Sequence, residues 1–196
     1  MKLWLRAVCC AVVLSCIFSL AGFCGACEDI SGRVLRLHII ANSDSEEDQA
    51  LKLRVRDAVI KKGSELFRDC TDKSDAERIA GEKLGELQEC AAGAVRESGY
   101  DYPVRIELTN MSFDTRVYDD FTLPAGRYDA LRIVIGEGMG HNWWCVIYPA
   151  VCIPCAEKNI GSVLTDGETE LVSGSSRYEV KFRFVEILQG LFSFFG

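Results

Sequence analysis

Histidine is scarce in this chain: His38 and His141 are the only two among 196 residues. A serine or cysteine nucleophile needs a nearby base to activate it, so this scarcity leaves few ways to build such a site. His38 lies between apolar neighbours and is predicted to be a packed or hydrogen-bonded core residue. His141 precedes Cys145 by four residues, so a cysteine hydrolase stays open as an alternative, although the sequence signals no oxyanion hole or orienting third group.

Positive charge is also in short supply, with 22 basic side chains against 29 acidic ones and a net charge of −7. Nonspecific nucleic-acid binding needs a positive field, so this balance argues against it. Residues 136–140 form a glycine-rich segment that follows an apolar run, but no Gly-Lys-Ser/Thr sequence is present. The residues after the glycines indicate a strand instead of the helix that a phosphate-binding loop requires. No cofactor is predicted.

The first residues have the order of a secretory signal. Lys2 and Arg6 precede an uncharged run over residues 7–23, and small residues follow up to Ala26. We predict a signal peptide over residues 1–26 and a single exported domain over residues 27–196. An earlier cut, an uncleaved membrane anchor and a lipoprotein cut before Cys27 remain alternatives.

A cut after Ala26 leaves six cysteines, an even number that favours disulfides in an exported protein. We predict one disulfide among Cys145, Cys152 and Cys155, and a second between Cys70 and Cys90 at the ends of two adjoining helices. Zinc bound by His141 and the three cysteines of the first set is an alternative. The strand length between Cys145 and Cys152 counts against zinc, and no metal is predicted.

Hydrophobic periodicity divides the rest of the chain into strands and helices. It predicts a buried strand over residues 34–40, followed by a helix from a Ser45 cap to about Lys62. A second helix is predicted from Ser74 to Glu97, with Ser74 and Glu77 as a capping box.

The second half of the chain is predicted to be mainly strands. These are a half-buried strand over residues 102–108, a short strand over 115–118, and a hairpin that pairs 128–136 with 143–151. Residues 157–177 are rich in turn-forming residues and predict a mobile loop. Residues 178–184 alternate as in a strand, but the length of the apolar pattern favours a final helix over residues 178–195. The fold class is therefore α+β, a mixed or antiparallel sheet packed against two helices, with a C-terminal helix.

Two adjacent tryptophans, Trp143 and Trp144, follow the glycine-rich segment. Side chains alternate along a strand, so one of them faces the core and the other faces outward. An outward tryptophan beside glycines is typical of a protein interface. A purely structural role for the pair stays open as well.

Two long motifs resemble the stage II sporulation protein R family. The first covers residues 34–59 and includes the sequence Ala41-Asn42-Ser43-Asp44-Ser45. The second covers residues 123–146, from Leu-Pro-Ala-Gly-Arg-Tyr-Asp to Asn-Trp-Trp-Cys-Val. Cys152 also fits the family pattern. Cys155, the cysteine-rich leader and Ala150 depart from it, which puts the disulfide pattern in doubt.

The resemblance implies a signalling protein made in the forespore and exported into the space between the forespore and mother-cell membranes. There it is expected to activate a membrane-embedded aspartic peptidase of the mother cell, which cleaves pro-sigma-E. The family supplies no catalytic residues. We expect the Asn-Ser-Asp loop at residues 42–44 and the Gly-Trp loop at residues 136–144 to form one binding face at the same end of the sheet. The candidate contacts are the segment 136–144, in particular Gly136, Gly138, Gly140, Asn142, Trp143 and Trp144, together with Asn42, Ser43, Asp44, Asp48, Gln49, Arg56 and Asp57.

Overall fold

A computed structural model describes residues 2–118, 121–149 and 164–173. The chain divides into two compact units. One unit consists of Met1–Ser31, Ser112–Gly126 and Asp166–Gly196, and the other consists of Gly32–Met111 and Arg127–Thr165. The elements in chain order are α1 (Lys2–Ser31), β1 (Leu35–Ile40), α2 (Glu46–Leu66), α3 (Lys73–Glu82), α4 (Leu84–Glu97), β2 (Val104–Phe113), β3 (Arg116–Val117), β4 (Thr122–Leu123), β5 (Gly126–Ile135), β6 (Asn142–Tyr148) and α5 (Asp166–Ser173).

The main sheet has the strand order β2-β5-β1-β6. β1 runs parallel to β5 and antiparallel to β6. The predicted hairpin between β5 and β6 is therefore wrong, because β1 lies between them. All six residues of β1 are buried, and a strand that is buried on both faces is stabilised most at the centre of a sheet.

Helices α2 and α4 pack on one face of this sheet, where β1 contributes Leu35, Leu37 and Ile39. On α2 the facing residues recur at helical spacing, as Leu51, Val55 and Val59. Leu87, Ala91 and Val95 do the same on α4. The second predicted helix is divided into α3 and α4 at Lys83, whose backbone is not helical.

The start of the divided helix also differs from the prediction. Asp72 caps α3, and its side chain accepts a hydrogen bond from the backbone N–H of Asp75. The predicted capping box of Ser74 and Glu77 is thus wrong, because the helix begins earlier, at Lys73. The Ser45 cap of α2 is confirmed, since its hydroxyl accepts from the N–H of Asp48 at 3.2 Å.

The other unit holds α1, a two-stranded antiparallel sheet of β3 and β4, and α5. α5 corrects part of the predicted mobile loop, because residues 166–173 form a helix in which Leu171 and Val172 are buried. Among the described residues, no helix is both long and apolar enough to cross a membrane. The final predicted helix, at 178–195, lies outside the described residues. The α+β fold class with a mixed sheet is confirmed.

A loop pair at the carboxyl end of two strands

Two loops meet at one end of the main sheet. The first, residues 41–44, follows β1, and the second, residues 136–141, joins β5 to β6. β1 and β5 are parallel, so both end at the same edge, and the antiparallel β6 begins there. We call residues 41–44 and 136–141 the loop pair. The sequence predicted that these loops share one end of the sheet, and the structure brings them into direct contact.

Backbone and side-chain hydrogen bonds join the two loops. The N–H groups of Met139 and Gly140 donate to the carbonyl oxygens of Asn42 and Ala41, each at 3.0 Å. The side-chain Oδ1 of Asn42 accepts from the N–H of Glu137 at 3.0 Å. The second loop therefore cannot move away without breaking several bonds at once.

Glycine is required at two positions of the second loop. Gly136 adopts a positive φ of 59°, and a Cβ there would lie 2.2 Å from Oδ1 of Asn42. A Cβ on Gly140 would lie 2.1 Å from the carbonyl oxygen of Ser43. Both distances are far inside van der Waals contact, so these glycines let one backbone approach the other.

Asp48 holds the first loop from the start of α2. Its Oδ2 accepts from Nδ2 of Asn42 at 2.8 Å and from the hydroxyl of Ser43 at 2.5 Å. Burial raises the pKa of this carboxyl, but hydrogen bonds from Ser43, Asn42 and Tyr102 outweigh burial and leave the pKa below its usual range. Asp48 is 4% exposed, so its role is to organise the loop from inside.

Lys52 connects α2 to the second loop. Its Nζ donates to Oε1 of Gln49 at 2.6 Å and to the carbonyl oxygen of His141 at 2.9 Å. A lysine on a helix is usually exposed to solvent, but Lys52 is only 4% exposed. Burial lowers the pKa of Lys52, the charge of Asp44 raises it and that of Arg56 lowers it again, with a net decrease. The i, i+4 spacing from Asp48 was the available signal that both face the loops.

Asp44 and His141 form the outer contact of the loop pair. Oδ1 of Asp44 lies 2.5 Å from Nδ1 of His141 and accepts from the His141 backbone N–H at 2.6 Å. The hydrogen bond from the imidazole is the main cause of the lowered pKa of Asp44. A carboxylate only accepts hydrogen bonds, so Nδ1 carries the proton and Nε2 of a neutral ring is left as an acceptor.

The two tryptophans lie on opposite faces of β6, as the alternation predicted. Trp143 packs against the core that α2 covers, and the guanidinium carbon of Arg56 lies 4.4 Å from the centre of a Trp143 ring. Trp144 lies on the other face, where it stacks on His38. Both tryptophans are half-buried, so each has a structural contact as well as an accessible edge.

The other face of β6 confirms the expectation for His38. The side chain is 3% exposed, and its Nε2 lies 2.9 Å from Oδ1 of Asn142. Burial is the main reason that the pKa of His38 is lowered; the Asn142 contact opposes this shift, and Arg132 and Arg36 reinforce it. His38 is thus a core residue in contact with a loop-pair neighbour.

The structure gives several of the candidate residues a structural role and places one away from the loops. Asn42, Ser43, Asp48, Gln49, Gly136 and Gly140 hold the loops together from inside. Asp57 lies apart from the loop pair, exposed on α2 and bound to Arg56 at 2.7 Å. Glu137, Met139 and His141 fall within the predicted segment 136–144, and all three are exposed on the second loop.

The predicted disulfide between Cys70 and Cys90 is wrong. Cys70 and Cys90 carry thiols and are not joined. Sγ of Cys90 lies 3.5 Å from the carbonyl oxygen of Ala58, in the middle of α2, whereas Cys70 follows the end of that helix. Ala58 and Leu66 are eight residues apart, which is about 12 Å along the helix, whereas the Cα atoms of a disulfide lie within about 7 Å.

Cys145 is disulfide-bonded and belongs to the buried core, so its sulfur is not an available nucleophile for the alternative hydrolase. Cys152 and Cys155 lie outside the described residues, so the pairing of Cys145 with either of them stays a prediction. Among the residues that the structure describes, no group of three or more His, Cys, Asp and Glu side chains is placed to hold a metal ion.

The fold and the site define an α+β protein with a hydrogen-bonded loop pair beside two tryptophans. The stage II sporulation protein R family model matches residues 31–158, which include the whole of this site. The chain therefore belongs to the stage II sporulation protein R family. This is a family of sporulation proteins and not a known family of enzymes.

A curated relative supports the assignment. Stage II sporulation protein R of Bacillus subtilis (strain 168) is 38% identical over 123 residues, which are 63% of this chain and 55% of that protein. The match thus spans a little over half the length of the relative. No solved structure matches this chain.

Proposed function

We propose that this chain is an exported signalling protein of sporulation, which activates the mother-cell membrane aspartic peptidase that processes pro-sigma-E. The observation that carries the proposal is the family match over residues 31–158, which covers the loop pair and both tryptophans. The order of basic, apolar and small residues in the leader supports export from the cell that makes the protein.

The geometry supports action by contact. Hydrogen bonds fix the two loops against each other, and a preorganised loop loses little conformational freedom when a partner binds. Asp44 and Trp144 are less direct probes of binding than the sequence suggested, because each also makes a structural contact.

Reconstitution in a host that does not sporulate tests the proposal. The chain is co-expressed with the peptidase and with pro-sigma-E, and cleavage of pro-sigma-E is followed by immunoblot. A matched variant lacks residues 1–26 and therefore has no leader, but it retains residues 27–196, including the loop pair. We expect cleavage with the full chain and little or none with the leaderless variant.

The outcomes separate the two parts of the proposal. Cleavage that proceeds equally without the chain overturns its role as an activator. Cleavage that is equally efficient with the leaderless variant overturns the requirement for export and leaves activation standing.

A further inference from the structure

The second loop exposes an apolar side chain at its tip. Met139 is 79% exposed, and it stands between Gly138 and Gly140, which have no side chains to shield it. Single exposed apolar residues are common on protein surfaces, so exposure alone assigns no function. The backbone that carries this residue distinguishes it.

That backbone is held on both sides of the tip. The N–H of Met139 itself donates to the carbonyl oxygen of Asn42, and Lys52 binds the carbonyl oxygen of His141. Gly138 has a positive φ of 68°, and Gly140 packs against Ser43. The loop therefore presents the Met139 side chain to solvent from a fixed position, which lowers the entropic cost of inserting it into a partner.

A polar group stands beside the tip. The side chain of His141 is 77% exposed, and Asp44 fixes its ring through Nδ1. Nε2 is therefore an acceptor in the neutral ring. A partner that receives Met139 in a pocket can place a hydrogen-bond donor against this nitrogen.

The exposed acidic and basic side chains of the two loop segments have one sign. Residues 42–48 and 136–142 contain Asp44, Glu46, Glu47, Asp48 and Glu137 but no lysine or arginine. All of these acidic residues except the buried Asp48 are exposed. A surface that meets this edge is therefore favoured if it carries basic side chains.

We infer that Met139 is the central anchor of the partner interface and inserts into an apolar pocket with a basic rim on the outward-facing surface of the peptidase. This inference rests on the proposed function and deepens it. It assigns partner contact to Glu137, Met139 and His141, and a positioning role to the residues that hold the loops from inside.

Binding of the purified full-length chain to the detergent-solubilised peptidase tests the inference. M139S removes the anchor, and M139L keeps an apolar side chain of similar size. V117S is the matched control, because Val117 is 77% exposed but lies on β3. We expect M139S to bind about 10-fold or more weakly, M139L within about 3-fold of wild type, and V117S unchanged.

Charge reversal tests the basic rim independently. E137K changes an exposed residue of the second loop, and E65K makes the same change near the opposite end of α2. We expect E137K to weaken binding several-fold at low salt and less at high salt, because salt screens exposed charges. E65K is expected to match wild type.

The results distinguish this inference from the proposed function. If wild type binds and M139S binds equally well, Met139 is not the anchor, and the inference fails while the proposed function stands. Equal binding by E137K and wild type at low salt overturns the basic rim. If wild type neither binds the peptidase nor activates it, the proposed function and this inference fail together.

Discussion

The indole ring of Trp144 lies flat against the imidazole ring of His38, with ring centroids 3.8 Å apart and planes inclined by 7°. The two residues are direct partners across β6 and β1, so their side chains share one face of the sheet. One residue of the tryptophan pair is thereby tied to the only histidine in the core. This contact connects the central strand to the beginning of the strand that leaves the loop pair.

Acidification should destabilise the protein through His38. Its pKa in the folded state is lowered from 6.5, chiefly by burial. As the pH falls through 6.5 the unfolded chain therefore binds more protons than the folded one, so the free energy of unfolding decreases. A single group contributes at most about 1.4 kcal/mol per pH unit. Urea denaturation at several pH values measures the slope.

An H38Q variant isolates this contribution. The variant is expected to be less stable at every pH, and its slope as the pH falls through 6.5 should be smaller than that of wild type. An unchanged slope would show that another group titrates. The carboxyl groups with lowered pKa values, such as Asp48, lose their contribution only at lower pH, as the solution approaches their unfolded value of 3.8.

Replacing Asp48 with alanine should cost about 2–3 kcal/mol of the free energy of unfolding, because the buried donors of Asn42 and Ser43 lose their acceptor. Chemical denaturation measures the change. D57A is the matched control, since the side chain of Asp57 is mostly exposed and binds only Arg56 among the contacts described. A change within about 0.5 kcal/mol is expected for D57A. Equal losses in both variants would contradict the organising role of Asp48.

Adding a methyl group at Gly140 should separate the loop pair. The new Cβ would meet the carbonyl oxygen of Ser43 at 2.1 Å, so we expect G140A to lose about 2 kcal/mol or more by a forced backbone shift. G85A is the control, because a Cβ at Gly85 in α4 has nothing within 4 Å. Alanine is the better helix former, so G85A should be neutral or stabilising by up to about 1 kcal/mol. We therefore expect the midpoint of thermal unfolding to fall in G140A, and to stay the same or rise in G85A.

Disulfide mapping should find Cys70 and Cys90 as thiols. The protein is unfolded in denaturant with an alkylating reagent, digested without reduction, and analysed by mass spectrometry. Both cysteines are expected in alkylated peptides, because Cys90 packs beside Ala58 and Cys70 lies beyond the end of α2. A cross-linked peptide containing both would contradict the arrangement of α2 and α4.

Local patterns in the sequence predicted β1, the Ser45 cap and the meeting of the two loops. Each depends on neighbouring residues or on the direction of consecutive elements. Strand order does not, and this explains the wrong hairpin: β5 and β6 are adjacent in the chain, yet β1, whose six residues are all buried, lies between them.

The site shows the same limit. The motifs located the loop pair, but they did not distinguish the residues that hold the two loops together from the residues that are exposed to a partner. Lys52 is of a residue type that is usually exposed on a helix. Its burial is explained by the hydrogen bond to His141, which lies 89 positions later in the chain. Met139 is an apolar residue of a type that is often buried. Its exposure follows from the backbone path of the loop, which the close contacts of the neighbouring glycines determine.

The place of β1 between β5 and β6 also constrains how the chain folds. Ala130, the partner of Arg36, follows it by 94 residues, and Val146, its partner on the other side, by 110. The helices contain mostly local contacts and can form early, but the sheet has a high contact order and must close two long loops first. A ribosome or translocation channel that has released only the first hundred residues therefore holds a chain whose central strand has no neighbours.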